Sequence, residues 1–426
     1  MRTLFLFLTL SCGLHAQDPE SLYQQARGRV RAISAERLET GALTPADQAS
    51  LAKANEELEK ALRARLDFVD ARVELGRVQS LRREFEGAIE SATEALRKDP
   101  KNLGAELVRA DALIRMGKAG VGRLFMEDAL KEHPDNPDVL YLIGAAYRQD
   151  GRNAEAEEAF AKVWKVEPTN VRGLRGMLRS LVARQEKAKA LELVQAEAAR
   201  MPERRDVRNL LGQIAREAGK YDLAVEAFQF VVTGSEKPSA VDLFRLGDAY
   251  RAKGDLDLAI DYFRKASVEA EDPAIPLNLA MALDASGKKK EAEQAYRQVV
   301  AIDTRNPIAL NNLAWYLADN GGDLKEALDL AQRAREGLPT NPEIIDTIGW
   351  IYLKSNKFTE AADLFDQVTA RNSSNPSFRY HLALALSLAG NKERALREAK
   401  RAIEDKPAKD DLAKLNELIG KLEGAK

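Results

Sequence analysis

Side-chain catalysis needs a nucleophile, an acid or base, or a metal set at workable spacing, and this chain offers few. It holds three histidines, His15, His133 and His381, and one cysteine, Cys12. No HExxH motif and no Cys/His cluster with metal-ligand spacing occurs, so no metal is expected. The nucleophile-elbow pattern G-x-S-x-G is missing. Gly117 to Gly122, GKAGVG, lacks the third glycine of a dinucleotide fingerprint and the Gly-Lys-Ser/Thr ending of a P-loop, and no strand precedes it. It reads as a turn with an extra glycine. The run Lys288–Lys290 follows Gly287 and reads as a solvated loop. His381, in YHLALAL, lies beside a buried position of a helix, where a structural role is expected. Asp and Glu are abundant, but no pair stands out as an acid/base couple. The sequence therefore reads as no enzyme, with no cofactor, and function must live on a surface.

The elements that would shape such a surface repeat. In Pro137 to Asn170, Leu140, Ile143, Gly144 and Tyr147 mark one face of a first helix, and Gly151 stands where a helix stops. Ala156, Phe160 and Val163 mark the buried face of a second helix, and Pro168 ends the unit. The Gly144 seat recurs as Gly76, Ala110, Gly144, Leu178, Gly212, Gly247, Ala280, Ala314, Gly349 and Ala383, at steps of 33 to 35 residues. The Ala156 seat recurs from Ala88 to Ala395 in the same phase. One-residue insertions fall near Thr233–Ser239 and Gly321–Asp323, Leu178 is large for its seat, and Pro276 lies early enough in a first helix to be tolerated. Such a period is a solenoid signature. One hairpin cannot bury its apolar face alone, whereas stacked neighbours share a core.

These residues resemble the tetratricopeptide repeat family, a helix-turn-helix unit of about 34 residues. The resemblance runs from Val69 to Lys409 and implies an all-α, right-handed α-solenoid of about ten to eleven repeats. The organisation expected is a signal peptide over 1–16, a degenerate capping repeat with a long turn over 17–68, ten tandem repeats over 69–409 and a capping helix over 410–426. MRTLFLFLTLSCGLHA has one basic residue, a short apolar run and Ala16 before Gln17, which is the pattern of a cleaved export signal. Cys12, flanked by Ser11 and Gly13, opens the lesser alternative of lipid anchoring. No other stretch is long and apolar enough to span a membrane. In the capping repeat, Leu22, Ala26, Val30 and Ile33 form one stripe, Thr44 is the expected N-cap before Pro45, and Ala54, Leu58 and Ala61 form a second stripe. Leu412, Leu415, Ile419 and Leu422 should cover the last repeat.

Composition limits the partners. The formal net charge is −2, so no global field favours nucleic acid or anionic membrane. With 31% charged and 6% aromatic residues, the chain suits solvated helices. The resemblance implies that first helices line a concave groove, with the second, fifth, ninth, twelfth and thirteenth residues of each unit pointing into it. On that register a middle zone carries Arg172, Arg175 and Arg179, with Arg148, Arg216, Arg251 and Tyr141 nearby and Asp138, Asp206, Glu217 and Asp248 as counter-charges. Arginine forks suit carboxylates and phosphates, though a mutually compensated groove is the plainer reading. A C-terminal zone carries Leu277, Met281, Asn311, Trp315, Trp350, Leu353, Tyr380 and Leu384. These are binding anchors if exposed and core if not. Asn278 and Asn312 hold a family ladder seat that the other units leave unfilled. The phrases ALNNLAWYLA and IIDTIGWIYLK resemble the last repeats of bacterial envelope proteins linked to surface-polysaccharide export or pilus and secretin assembly. The resemblance thus implies an exported, periplasmic or secreted scaffold that binds a protein or peptide partner. The alternative is a carbohydrate-binding accessory of a surface-polysaccharide system, with Trp315, Trp350 and Tyr380 stacking on sugars and Asn311 bonding to them.

Overall fold

Each repeat turns on one residue with a left-handed backbone. In a computed structural model, which describes residues 18–33, 37–38, 43–268, 274–372 and 374–424, Gly151 sits in that turn at φ 74° and Gly219 at φ 72°. Arg83, Gln185 and Asn356 fill the same seat at φ 67°, 64° and 61°. The residues with positive φ therefore mark ten turns in the phase of the Gly144 seat, from Arg83 to Gly390. Only glycine adopts this backbone without crowding its own Cβ.

Twenty-three α-helices are present among the described residues, with no strand among them. They form all-α repeat solenoids of consecutive antiparallel hairpins. The chain divides into two compact units, residues 1–236 and 237–426. The first unit opens with Pro19–Arg31 packed on Pro45–Ala64 and closes with Tyr221–Thr233. Thr44 caps the second of these helices: its Oγ1 accepts from Asp47 N at 3.2 Å, and Asp47 Oδ2 accepts from Thr44 N at 3.0 Å. Leu22, Ala26, Val30, Ile33, Ala54, Leu58 and Ala61 are all buried there. The second unit runs from Ala240–Lys253 to Lys409–Gly424. Leu415 and Leu418 of the final helix are buried, with Ile419 and Leu422 packed beside them. The expected export signal, with Cys12 and His15, lies outside the described residues. No helix among the described residues is long and apolar enough to cross a membrane.

The core is built from paired seats sixteen residues apart, one on each helix of a hairpin. Gly144 faces Phe160, Gly212 faces Phe228, Gly247 faces Phe263 and Gly349 faces Phe365. A Cβ added at any of these four glycines would stand within 2.9 Å of the ring it faces. All four phenylalanines are fully buried. Where the first seat is alanine, the second holds Met126, Tyr296, Leu330 or Ala399. Where it is the large Leu178, the second is Val194, and both are buried in one cluster. At Gly144, Gly212, Gly247, Gly349 and Leu178 volume at the two seats is traded, whereas Gly76 with Ala92 and Ala383 with Ala399 are small at both.

Candidate functional site

The first helices of the second unit bring their exposed edges to a cavity of about 480 Å³. Ala274–Ala285 contributes Met281 and Asp284, Pro307–Asp319 contributes Asn311, Asn312 and Trp315, and Pro342–Lys354 contributes Glu343, Asp346 and Thr347. Phe378 closes one side and Tyr296 reaches in from a second helix. Asn306 and Asn341, which accept from Ala309 N and from Glu343 N and Ile344 N, cap two of these helices and fix the phase of their faces.

Met281, Trp315 and Trp350 hold the same seat of three successive repeats, but they meet different surroundings. Met281 is 41% exposed. Trp315 is half-buried and lines the cavity. Trp350, expected in the groove by register, is only 8% exposed and is not part of the cavity wall. Its ring packs on Trp315 at 5.2 Å between centroids and on His381 at 4.7 Å. Trp350 is thus a floor under Trp315. Leu277 and Leu353 are buried as well. Tyr380 and Leu384 are half-buried and pack toward the last helix of the chain, outside the cavity.

His381 is 9% exposed and its Nδ1 lies 2.8 Å from Asp346 Oδ1, so a buried histidine and carboxylate satisfy each other below the cavity. The Thr347 hydroxyl donates to the Glu343 carbonyl of its own helix at 2.9 Å. Two buried atoms on this floor have no hydrogen-bond partner among the described residues. Asn311 Oδ1 accepts no hydrogen bond and Trp350 Nε1 donates none. Loss of solvation, with the Asp319 carboxylate nearby, raises the Asp284 carboxyl above its usual value against the opposing pull of Lys289. Burial pushes the Tyr296 hydroxyl up, with Asp284 adding to it and Asn312 working the other way. Asn278, in the ladder seat one repeat before Asn312, donates its Nδ2 to Ala274 O of its own helix at 2.8 Å.

Two of the arginines expected in the middle zone, Arg172 and Arg251, meet acidic partners. Arg172 donates to Asp138 at 2.6 Å and to Glu167 at 2.8 Å, and its guanidinium stands over the Tyr141 ring. Those partners keep its proton bound despite burial. Arg175 is half-buried and partnered, and Arg179 is exposed. Arg251 pairs with Asp248. No group of three His, Cys, Asp or Glu side chains placed to hold a metal occurs among the described residues.

Sequence reasoning passed over Asp284, Asp319, Glu343 and Asp346, although the signal was present. The register that points to Met281, Trp315 and Trp350 places these four on the same groove face.

The tetratricopeptide repeat family matches residues 45–102, 107–165, 176–239, 277–342 and 347–410, and again 243–267. The chain belongs to the tetratricopeptide repeat family. Among its relatives, it is 24% identical over 352 residues to a cellulose synthase operon protein C of Pseudomonas fluorescens, a match that covers 70% of this chain and 27% of that protein. It is 25% identical over 186 residues to a type IV pilus assembly protein PilF of Pseudomonas aeruginosa, covering 39% of this chain and 71% of that protein. The chain thus spans about a quarter of the first relative's length. Among solved structures, the APC/C hetero-tetramer Cut9-Hcn1 contains a chain similar at a TM-score of 0.49 and 16% identity, covering 95% of this chain and 90% of that one. As a tetratricopeptide repeat chain, the protein has the architecture of a protein-interaction scaffold.

Proposed function

We propose that this tetratricopeptide repeat protein is a non-catalytic scaffold of the bacterial envelope that holds a segment of a partner protein in the cavity around Met281, Asn311 and Trp315. The observation that carries the reading is the exposure of Met281 and Trp315 on neighbouring first helices, at the wall of one cavity. A preformed groove binds an extended or helical segment without ordering itself at the moment of binding. The non-catalytic part is supported by the family, whose repeats are typically binding scaffolds. The envelope part is supported by the export pattern of residues 1–16 and by the names of the relatives, one from a cellulose synthase operon and one from pilus assembly.

The test of the groove is a photo-crosslinking residue at position 281, compared with one at exposed Lys265, in envelope preparations. A partner joined at 281 and not at 265 supports the reading; equal labelling at both positions overturns it. The test of export is the N-terminus of the mature chain. Gln17 as first residue fits cleavage by a signal peptidase, a lipidated Cys12 fits anchoring, and an intact Met1 in the cytoplasm overturns export.

A second reading, a carbohydrate-binding accessory of a surface-polysaccharide system, draws support from the half-exposed Trp315 and Tyr380 and from the cellulose synthase operon relative. Burial of Trp350 leaves it a single tryptophan platform. Under this reading, oligosaccharide titration shifts the Trp315 fluorescence.

A further inference from the structure

The charges around the cavity indicate what would fill it. Its wall carries three carboxylates, Asp284, Glu343 and Asp346, and no lysine, arginine or histidine among the described residues. Asp346 is committed to His381. Asp284 and Glu343 are exposed and form no ion pair among the described residues. Beside them stand the Trp315 ring, the Met281 thioether and the Asn311 oxygen, which accepts no hydrogen bond. An electron-rich ring and two exposed carboxylates make a seat for a cation.

The same unit already contains a filled version of this seat. One repeat further on, the Lys354 ammonium lies 4.9 Å from the Trp350 ring centroid and 3.5 Å from Asp319 Oδ1. There an indole and a carboxylate hold the chain's own lysine between them. At Trp315 the residue in the place of Lys354 is Asp319, so the matching helix position supplies no cation to that seat, and Lys289 acts on Asp284 without forming an ion pair among the described residues.

We propose that the occupant of the Trp315 cavity is a basic segment of a partner protein, with a lysine or arginine side chain against Trp315 between Asp284 and Glu343. This rests on the groove reading above and names the chemistry of its partner. Loss of solvation first, and Asp319 second, raise the Asp284 carboxyl, and an incoming cation would offset both.

The experiment uses the full chain and three fluorescent ten-residue probes: a lysine-rich peptide, a glutamate-rich peptide and a neutral serine-rich peptide. Anisotropy should show the lysine-rich probe binding most tightly, with affinity falling as salt rises. Asp284→Asn/Glu343→Gln should weaken it about three- to tenfold, as two solvated charge pairs are lost. Glu158→Gln/Glu192→Gln, which removes two exposed carboxylates of the other unit, should leave it unchanged. Both pairs are solvent-exposed, and circular dichroism checks that each variant folds. Equal binding to the wild type and to Asp284→Asn/Glu343→Gln, or tighter binding of the glutamate-rich probe, overturns the inference. Spermidine competing as well as the lysine-rich peptide also overturns it, because a small polyamine would then be the occupant. A partner crosslinked at position 281 through a segment without lysine or arginine keeps the scaffold reading and removes only this inference.

Discussion

The indole of Trp315 lies on the indole of Trp350, with centroids 5.2 Å apart and 22° between the ring planes, and only Trp315 reaches the cavity. Two residues in one repeat seat thus divide the work of surface and support. Trp350→Ala should cost about 3–5 kcal/mol, the range for deleting a large buried ring. Trp315→Ala removes a half-exposed ring and should cost less than half as much, while weakening capture of the cavity's occupant. Urea unfolding of the three proteins, followed by circular dichroism, checks the order. Equal midpoints for the two variants would mean that Trp350 is not the floor described here.

The Gly/Phe seats make a prediction whose sign runs against helix propensity. Alanine is favoured over glycine inside a helix by about 1 kcal/mol. At Gly28, exposed in the first helix with nothing within 4 Å of an added Cβ, Gly28→Ala should gain close to that amount. At Gly212 the added Cβ would stand 2.6 Å from the Phe228 ring, so Gly212→Ala should lose about 1–3 kcal/mol to overpacking. Melting temperatures that move in opposite directions support the seat; a gain at both positions sinks it.

Leu178 and Val194 test whether seat volume is traded. Leu178→Gly alone leaves a cavity and should cost about 2–5 kcal/mol. Val194→Phe alone overfills the seat and should cost about 1–3 kcal/mol. The double variant rebuilds the pair found at Gly212 and Phe228, so it should be more stable than Leu178→Gly. A double-mutant cycle with no coupling beyond about 0.5 kcal/mol would mean that the two seats are independent.

The fold was legible because its causes are local. Small seats, ring seats and turn seats return every 33 to 35 residues, and each is read from the chain alone. Leu178 departed from the pattern until Val194 was placed opposite it. The site was less legible because repeat register fixes direction and not depth. It sends Met281, Trp315 and Trp350 the same way, yet Trp350 is roofed by Trp315 and flanked by His381, a contact across repeats that spacing does not encode. The middle arginines show the same gap, since Arg172 meets Asp138 from 34 positions earlier. The carboxylates that share the cavity with Trp315 sit on the same register, but acidic residues are too common on repeat surfaces to stand out by spacing.

The turn seat allows a stabilising substitution to be chosen on physical grounds. Gln185 holds φ 64° in a seat that its neighbours at 151 and 219 fill with glycine. An L-residue in this conformation brings its Cβ against its own carbonyl at a cost of about 1–2 kcal/mol. Glycine removes that strain but adds freedom to the unfolded chain, which offsets part of the gain. The net expectation for Gln185→Gly is a gain of about 0.5–1 kcal/mol, and Gly219→Ala should lose about 1 kcal/mol or more. Because repeats unfold with their neighbours, the readout is amide hydrogen exchange in Arg172–Ala183 and Lys187–Arg200. Protection should rise there for Gln185→Gly. A fall would show that the glutamine side chain contributes more to the turn than its backbone costs.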